Sequence, residues 1–166
     1  HLSRICSSSA HVYIFCDFDY FHRLFALIST QEGWRVRRRP LIWWKGNTGN
    51  LADGSSQGYR SSYECILYAS RGVRPCSKVV SDVIQFPMVK NKIHAAQKPT
   101  ELYQFLMEMS SVPGDTVLDA FAGSGTIFRA ARLAAVSVIG IEQSPLFCEM
   151  AKLAIEGKEP DWEPEL

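Results

Sequence analysis

The sequence has 166 residues, of which 46% are hydrophobic and 21% are charged, a balance typical of one globular domain rather than a disordered chain. The longest nearly unbroken apolar stretch, residues 133–141, is far shorter than the ~20 residues of a membrane span, which excludes a transmembrane helix. The first residues have no initiator Met, no charged segment before an apolar core and no cleavage site. We therefore expect no signal peptide and an internal start.

The cysteines show no CxxC pair and no histidine at metal-ligand spacing, which argues against a zinc site or a disulfide framework. We expect reduced, mostly buried thiols in a cytosolic protein. The five are Cys6, Cys16, Cys65, Cys76 and Cys148.

The net charge of +1 conceals an asymmetry along the chain. Residues 1–98 carry 14 Lys and Arg against 6 Asp and Glu, or +8, whereas residues 99–166 carry 4 against 11, or −7. The first part is therefore expected to meet a polyanion such as double-stranded DNA. Four arginines concentrate this charge and are interpreted either as a solvated strand edge or as DNA contacts: Arg35, Arg37, Arg38 and Arg39.

The first elements predicted are a buried strand over residues 11–16 and an amphipathic helix. Asp17 and Asp19 are candidate N-caps, and the helix is expected to end near Gly33. Its apolar positions recur at i, i+3, i+4 and i+7. They are Phe21, Leu24, Phe25 and Ile28.

Two further strands are predicted over residues 40–44 and 62–69, the first with Trp43 and Trp44 as core and surface neighbours. Residues 46–60 are rich in Gly, Ser, Asn and Asp, which predicts a mobile loop. Residues 70–97 are predicted to be irregular and basic, with His94 as a local hydrogen-bonding residue.

Everything after Pro99 is predicted to be regular. A helix opening at Pro99 is followed by a strand over 116–119, a glycine loop over 121–126 and a second helix. A strand over 136–141 ends at Glu142, and a last helix, capped by Ser144, runs to Gly157. Residues 158–166 are predicted to be an acidic, frayed tail.

The strand, glycine loop, helix, strand and terminal acid form a βαβ unit with a ligand crevice at the carboxyl ends of its strands. Gly123 and Gly125 allow the backbone to approach a ligand. Glu142 lies 23 residues after Asp119, where a carboxylate accepts both hydroxyls of a ribose. The pattern therefore indicates a cofactor that contains adenosine.

Three cofactor classes compete for this loop. A nucleoside triphosphate loop needs Lys and then Ser or Thr after its last glycine, but Thr126 and Ile127 follow Gly125. A dinucleotide loop needs a third glycine where Phe128 stands. The remaining class is a cofactor that contains adenosine and no phosphate, which favours S-adenosylmethionine.

The motifs that carry these residues resemble a known family. Residues 97–102 (Gln-Lys-Pro-Thr-Glu-Leu), 113–126 (Pro-Gly-Asp-Thr-Val-Leu-Asp-Ala-Phe-Ala-Gly-Ser-Gly-Thr) and 139–142 (Ile-Gly-Ile-Glu) resemble the C-terminal half of the circularly permuted, β-class DNA amino-methyltransferases. These are the N6-adenine and N4-cytosine methylases of bacteria and phages. Upstream, residues 13–17, 42–47 and 63–68 are similar to later strands of that family's sheet.

The resemblance implies an α/β, Rossmann-like S-adenosylmethionine-dependent methyltransferase sheet over residues 1–157. Residues 98–157 are then the cofactor-binding βαβ unit, and the loop-rich basic region 46–97 is a candidate target-recognition part. Lys98 is expected near the methionine carboxylate and Glu142 on the ribose. The implied cofactor loop comprises Asp119, Phe121, Gly123, Ser124, Gly125 and Thr126. Two positions depart from the family pattern: Ala95, where proline is usual, and the pair Ile127-Phe128, where small residues are usual.

The family's catalytic tetrapeptide, an Asp, Asn or Ser followed by two prolines and an aromatic residue, does not occur in this sequence. That motif binds the target amino group and stacks the flipped base. Residues 17–20 (Asp-Phe-Asp-Tyr) resemble it superficially and are interpreted as helix-capping. We therefore expect a sheet incomplete at its N-terminus, with a missing fragment or second chain as partner.

Two functions follow. The first is methyl transfer to adenine N6 or cytosine N4 of DNA, with the 166-residue chain alone inactive. The second is a non-catalytic remnant that binds cofactor or DNA.

Overall fold

The computed structural model describes residues 2–46, 50–51, 60–90, 92 and 96–158. The chain divides into two compact units, His1–Pro87 and Met88–Leu166. Most of the loop predicted over 46–60, together with His94, Ala95 and the tail after residue 158, lies outside the described residues. No helix in the described part of the chain has the length and apolar character to cross a membrane.

The first unit is built around one long strand, β6. Its elements in chain order are α1 (Leu2–Ile5), β1 (Ala10–Cys16), α2 (Phe18–Ser29), β2 (Trp34–Val36), β3 (Leu41–Trp44), β4 (Asn50–Leu51), β5 (Arg60–Ser61), β6 (Tyr63–Arg71) and β7 (Val83–Gln85). β1 runs antiparallel to one side of β6, and β2 and β3 run antiparallel to its other side. β7 pairs in parallel with β3, and β4 pairs with β5 in a separate ribbon.

The core of this unit lies between α2 and one face of the sheet. It is formed by the buried residues Phe21, Ile28, Trp34, Leu67 and Ala69. Two of them, Phe21 and Ile28, come from the predicted helix stripe, because seven residues separate side chains by nearly two turns and keep them on one face. The periodicity of residues 21–28 therefore identified the face of α2 that is buried.

Several details of the first unit differ from the sequence predictions, and neither α1 nor the β4–β5 ribbon at the two ends of the predicted loop was predicted. Asp19 lies inside the first turn of α2 rather than at its N-cap. The residues predicted to be irregular contain the short strand β7. The helix ends at Ser29, and Gly33 follows in a turn with φ +81°. Gly33 therefore serves the turn into β2, which was not predicted, rather than the end of α2.

Trp43 and Trp44 have the different environments expected of neighbours on a strand. Trp43 is buried, and its Nε1–H donates to the carbonyl oxygen of Phe86 at 2.8 Å. Trp44 is exposed on the other face. Since successive side chains of a strand alternate between faces, this confirms the interpretation of the pair.

The second unit is the βαβ unit that the sequence predicts. Its elements are α3 (Thr100–Ser110), β8 (Thr116–Asp119), α4 (Thr126–Ala134), β9 (Ser137–Gly140) and α5 (Pro145–Glu156). β8 and β9 are parallel, in register from Thr116 opposite Ser137 to Asp119 opposite Gly140. The carboxyl ends of both strands therefore lie side by side, as required for a ligand site at that end.

Capping residues and one arginine side chain define where the helices of this unit begin and end. Pro99 occupies the N-cap of α3, so the helix begins one residue later than predicted. The Ser144 hydroxyl accepts the Phe147 N–H, with Pro145 opening α5. At the other end of α5, Gly157 adopts φ +77° and the Arg132 guanidinium donates to the Ala154 carbonyl oxygen at 2.7 Å. These contacts satisfy groups that helix ends otherwise leave without partners.

Two strands have a described neighbour on one side only. Among the described strands, β1 pairs with β6 alone, and β8 pairs with β9 alone. β1 and β8 belong to different sheets of the described structure.

Candidate functional site

The predicted cofactor loop connects β8 to α4 at the carboxyl end of the parallel pair. Gly123 and Gly125 adopt left-handed backbone with φ +55° and +84°, a region open to glycine at little cost. A Cβ built on Gly125 would lie 2.7 Å from the Cα of Ala151 in α5. Glycine at position 125 is therefore required by helix packing as well as by the loop turn.

Glu142 joins three segments of the site through its carboxylate. Oε2 accepts the Gly123 N–H at 2.9 Å, and Oε1 accepts the Ser144 N–H at 2.8 Å. The side chain therefore ties the glycine loop to the end of β9 and the start of α5. Because each carboxylate oxygen carries more than one acceptor position, these bonds are compatible with further hydroxyl donors.

Asp119 is a second carboxylate at the same end of the sheet. Burial raises the pKa of this carboxyl, the Phe121 N–H bound to its Oδ1 at 2.9 Å lowers it, the nearby Glu142 raises it and Lys98 lowers it. Two carboxylates that influence one another make the site electronegative. A phosphate group is repelled by such a site, in agreement with the loop pattern.

The structure brings the other predicted cofactor residues to the same loop in different environments. Ser124 and Thr126 are buried at the start of α4. The Phe121 ring is 88% exposed and is the most accessible side chain of the loop. Lys98 donates to the carbonyl oxygen of Ala96 at 3.4 Å, and it is close enough to Asp119 to lower the pKa of that carboxyl.

An open cavity of about 350 Å³ adjoins Glu142. Its walls come from Phe128 of α4, Ile141 after β9, and Cys148 and Lys152 of α5. These α5 residues were not predicted to belong to the site, although Cys148 and Lys152 have the four-residue spacing of one helix face. A mostly apolar recess beside an acceptor carboxylate suits a flat heterocycle attached to a sugar.

Residues 17–20, the superficial tetrapeptide, are helical. Asp17 occupies the N-cap of α2 without a side-chain hydrogen bond to the helix, and Phe18, Asp19 and Tyr20 form its first turn. Phe18 and Tyr20 are more than half exposed. The segment thus begins a helix and does not form a loop at the end of a strand.

The arginine group is divided between internal contacts and exposed positions. Arg37 forms an ion pair with Asp82 at 2.9 Å, and Arg35 donates to the carbonyl oxygen of Gly72 at 2.6 Å. Arg38 and Arg39 are exposed in the turn between β2 and β3. Arg35 and Arg37 therefore make contacts within the first unit, whereas Arg38 and Arg39 are exposed to solvent.

No group of three His, Cys, Asp or Glu side chains within the described ranges is arranged to hold a metal ion. All five cysteines are free thiols. The candidate ligand groups described above are the two carboxylates, the backbone N–H groups and the apolar cavity walls around the glycine loop.

Comparison with known proteins connects this geometry to one class. Residues 74–153, or 80 of the 166, match the N6/N4 methyltransferase family model, described as DNA methylase. The chain is also 34% identical over 88 residues to the type II methyltransferase M.HpaI of Haemophilus parainfluenzae, a match covering 53% of this chain and 28% of M.HpaI. It is 40% identical over 67 residues to the type II methyltransferase M.BglI of Bacillus subtilis, covering 40% of this chain and 19% of M.BglI. The matches thus span less than a third of either relative.

Solved structures extend the similarity to nearly the whole chain. The M1.HpyAVI–SAM complex superposes with a TM-score of 0.78 at 22% identity, covering 93% of this chain and 78% of that one. The fold is therefore the α/β fold of the S-adenosylmethionine-dependent DNA methyltransferases. Within it, residues 74–153 carry the sequence pattern of the DNA methylase family.

Proposed function

We propose that this chain binds S-adenosylmethionine and forms the cofactor-binding part of a DNA amino-methyltransferase acting on adenine N6 or cytosine N4. The observation that carries the proposal is the Glu142 carboxylate, which bonds the N–H groups of Gly123 and Ser144 beside the buried Asp119. Circular permutation of the family's motifs, with the glycine loop following the strands of the first unit, is part of the proposal.

The residues present fit such a cofactor. Glu142 accepts the ribose hydroxyls, the recess beside Phe128 takes the adenine, and Lys98 attracts the methionine carboxylate. The electronegative pair of Asp119 and Glu142 favours a cofactor that carries a positive sulfonium and no phosphate over a nucleotide. Discrimination between these cofactors is therefore electrostatic as well as steric.

S-adenosylmethionine supplies a methyl group already activated by its sulfonium. The protein's contribution to transfer is placement, because an in-line approach of the target amino nitrogen requires both partners to be held in one geometry. The Glu142 contacts tie the glycine loop to the start of α5, and the exposed Phe121 ring of the same loop is available to contact an incoming group. The acceptor for the target amino group is proposed to come from a polypeptide segment outside these 166 residues, since this sequence lacks the family tetrapeptide.

Calorimetric titration with S-adenosylhomocysteine tests cofactor binding. We expect Glu142→Ala to weaken binding by about 1–3 kcal/mol, the cost of removing a partner from buried hydrogen-bonding groups. Glu156→Ala is the matched control, since Glu156 is an exposed glutamate near the end of α5, paired with Lys158. Equal affinity of the Glu142 variant and the wild type would refute the ribose assignment.

The second candidate is a non-catalytic module that binds cofactor or DNA. The absence of the tetrapeptide and the helical conformation of residues 17–20 favour it. A methyl-transfer assay on unmethylated DNA separates the two functions: cofactor binding without transfer, in the presence of a complementing segment, supports the non-catalytic module.

A further inference from the structure

Two cysteines occupy directly opposed positions in the first unit. In the antiparallel register of β1 and β6, Cys16 lies opposite Cys65, the last of seven consecutive pairs. Cys16 packs against the same core as Ile14, the residue two positions before it on β1. Since side chains two apart share a face and directly opposed side chains lie on the same face, the two sulfurs lie on one side of the sheet.

The backbone hydrogen bonds of β6 show whether Cys16 and Cys65 form a hydrogen-bonded or a non-hydrogen-bonded pair of the antiparallel ladder. The carbonyl oxygens of Ser62 and Tyr68 accept from Lys45 and Arg37, on the β2 and β3 side. Even-numbered residues of β6 thus direct their backbone groups to that side, and odd-numbered residues, including Cys65, direct theirs to β1. Cys16 and Cys65 are therefore a hydrogen-bonded pair, for which the Cα atoms are about 5.5 Å apart.

That separation lies within the ~4.4–6.8 Å Cα range of disulfides, whereas opposed Cβ atoms in such a pair are about 5 Å apart and must approach by about 1 Å, so closing the S–S bond draws the ends of the two strands slightly together. We propose that Cys16 and Cys65 are a site of reversible intrachain disulfide formation, closed by peroxide or a small-molecule disulfide and reopened by thiols. The modification joins the carboxyl end of β1, immediately before the N-cap of α2, to the central strand of the sheet.

Accessibility assigns different roles to the two thiols. Cys16 is half-buried, whereas Cys65 is only 2% exposed. Cys16 therefore reacts first with the oxidant, and Cys65 resolves the product. Burial raises the pKa of both thiols and the charges of Asp17 and Glu64 raise them further, while a backbone hydrogen bond from Leu67 offsets part of the increase for Cys16. The pair consequently holds little thiolate at neutral pH and reacts faster in alkaline solution.

With hydrogen peroxide, the Cys16 thiolate attacks one oxygen, the O–O bond breaks, and the departing hydroxide takes up a proton. The sulfur of Cys65 then attacks the Cys16 sulfenic acid, forming the S–S bond and releasing water as the S–O bond breaks. Overall, two thiols lose two electrons and two protons while one peroxide becomes two waters. A small-molecule disulfide acts instead by exchange and leaves as two thiols.

The test uses the full chain carrying Cys6→Ser, so that Cys16 is the single cysteine of tryptic peptide 5–23 and Cys65 that of peptide 61–71. The reduced protein is treated with peroxide at pH 8.5, alkylated, digested without reductant and analysed by mass spectrometry. We expect the 5–23/61–71 linked pair in most molecules, and its loss on addition of dithiothreitol. Cys148→Ser, which changes a thiol of the second unit, should link to the same extent.

Replacement of the resolving thiol provides the second measurement. In Cys65→Ser, Cys16 should accumulate as a sulfenic acid that dimedone traps, at several times the wild-type level; Cys65→Ala serves if the serine variant does not fold. The proposal is overturned if both thiols of the oxidised wild type remain alkylatable after unfolding. It is equally overturned if the linkage forms in 6 M urea as readily as in the folded chain.

Discussion

Asp119 is held in an environment that opposes its own charge. Its burial in the second unit is the largest influence on its pKa, and the neighbouring Glu142 adds to the increase. A carboxyl whose pKa is higher in the folded than in the unfolded state contributes stability below its unfolded pKa and loses that contribution as the pH rises through the folded value. Ionisation of Asp119 therefore costs the folded protein stability, and in the proposed function the reason for keeping this carboxylate is the cofactor site.

We expect Asp119→Asn to raise the thermal midpoint at pH 7 by a few degrees, because the amide oxygen still accepts the Phe121 N–H and the buried charge is gone. The advantage should shrink toward pH 3.5, where the wild-type carboxyl is increasingly protonated. Thermal unfolding followed by circular dichroism at both pH values measures this. Glu108→Gln, on an exposed face of α3, is the control, and an equal gain at both pH values would contradict the explanation.

The end of α5 depends on a side chain from another helix. Arg132, in the last turn of α4, donates to the carbonyl oxygens of Ala154 and Ile155 at 2.7 and 3.3 Å. It thereby supplies donors that the last turn of α5 lacks, and it connects the two helices that flank the glycine loop. α4 therefore contacts α5 at both of its own ends: Gly125 approaches Ala151 at the start of α4, and Arg132 bonds the end of α5 from the last turn of α4.

Arg132→Ala should lower the free energy of unfolding by about 1.5–3 kcal/mol, the range for hydrogen bonds to charged groups. Urea denaturation monitors the loss. Arg129→Ala removes a similar guanidinium, which donates to the carbonyl oxygen of Lys158 at an exposed position, and should cost less than half as much. Equal losses in the two variants would show that Arg132 acts through its general charge and not through these carbonyls.

The elements that were predictable from the sequence are those whose residues carry their own signal. α2 and α5 show apolar periodicity, and α5 also has a serine cap, an opening proline and a closing glycine. β2 and β7 were missed because each has only three residues and is a strand only by virtue of its pairing. β2 pairs with residues 69–71 of β6, and β7 pairs with β3. Likewise, the glycine pattern identified the loop, but nothing in the pattern showed that Gly125 must approach Ala151 or that α5 forms a cavity wall.

Across the whole chain, the positive charge of residues 1–98 is expected to meet DNA. If so, affinity falls steeply with salt, since each neutralised phosphate contributes about −0.9 to the slope of log K against log salt. Replacing Arg37, Arg38 and Arg39 with alanine should flatten that slope.

The ion pair of Arg37 with Asp82 refines the expectation: the Arg38/Arg39 double variant should account for most of the change. Fluorescence anisotropy with duplex DNA over a range of salt concentrations measures the slopes. An unchanged slope in the triple variant would favour the other interpretation of these arginines, as a solvated strand edge that does not contact DNA.

The sides of β1 and β8 on which no described strand pairs lead to a prediction about catalysis. An unpaired strand edge favours pairing with another chain, and the missing acceptor of the target amino group would accompany such a strand. The purified 166-residue chain should transfer no methyl groups to DNA. Co-expression with a fragment of a relative that carries the tetrapeptide and its strand should restore transfer of labelled methyl groups and raise the thermal midpoint. Robust methylation by the 166-residue chain alone would refute this and would make residues 17–20 candidates for the catalytic segment again.

The central position of β6 also affects how the protein emerges during synthesis. β1, β2 and β3 all pair with β6 directly, and β7 joins through β3, yet β6 ends 55 residues after β1 does. At about 5–20 residues per second, a ribosome takes roughly 3–11 s to cover that distance. During that interval the apolar β1 has been made without its native partner, so chaperone contact with the nascent chain should concentrate on residues 10–16 and end once Arg71 has left the exit tunnel.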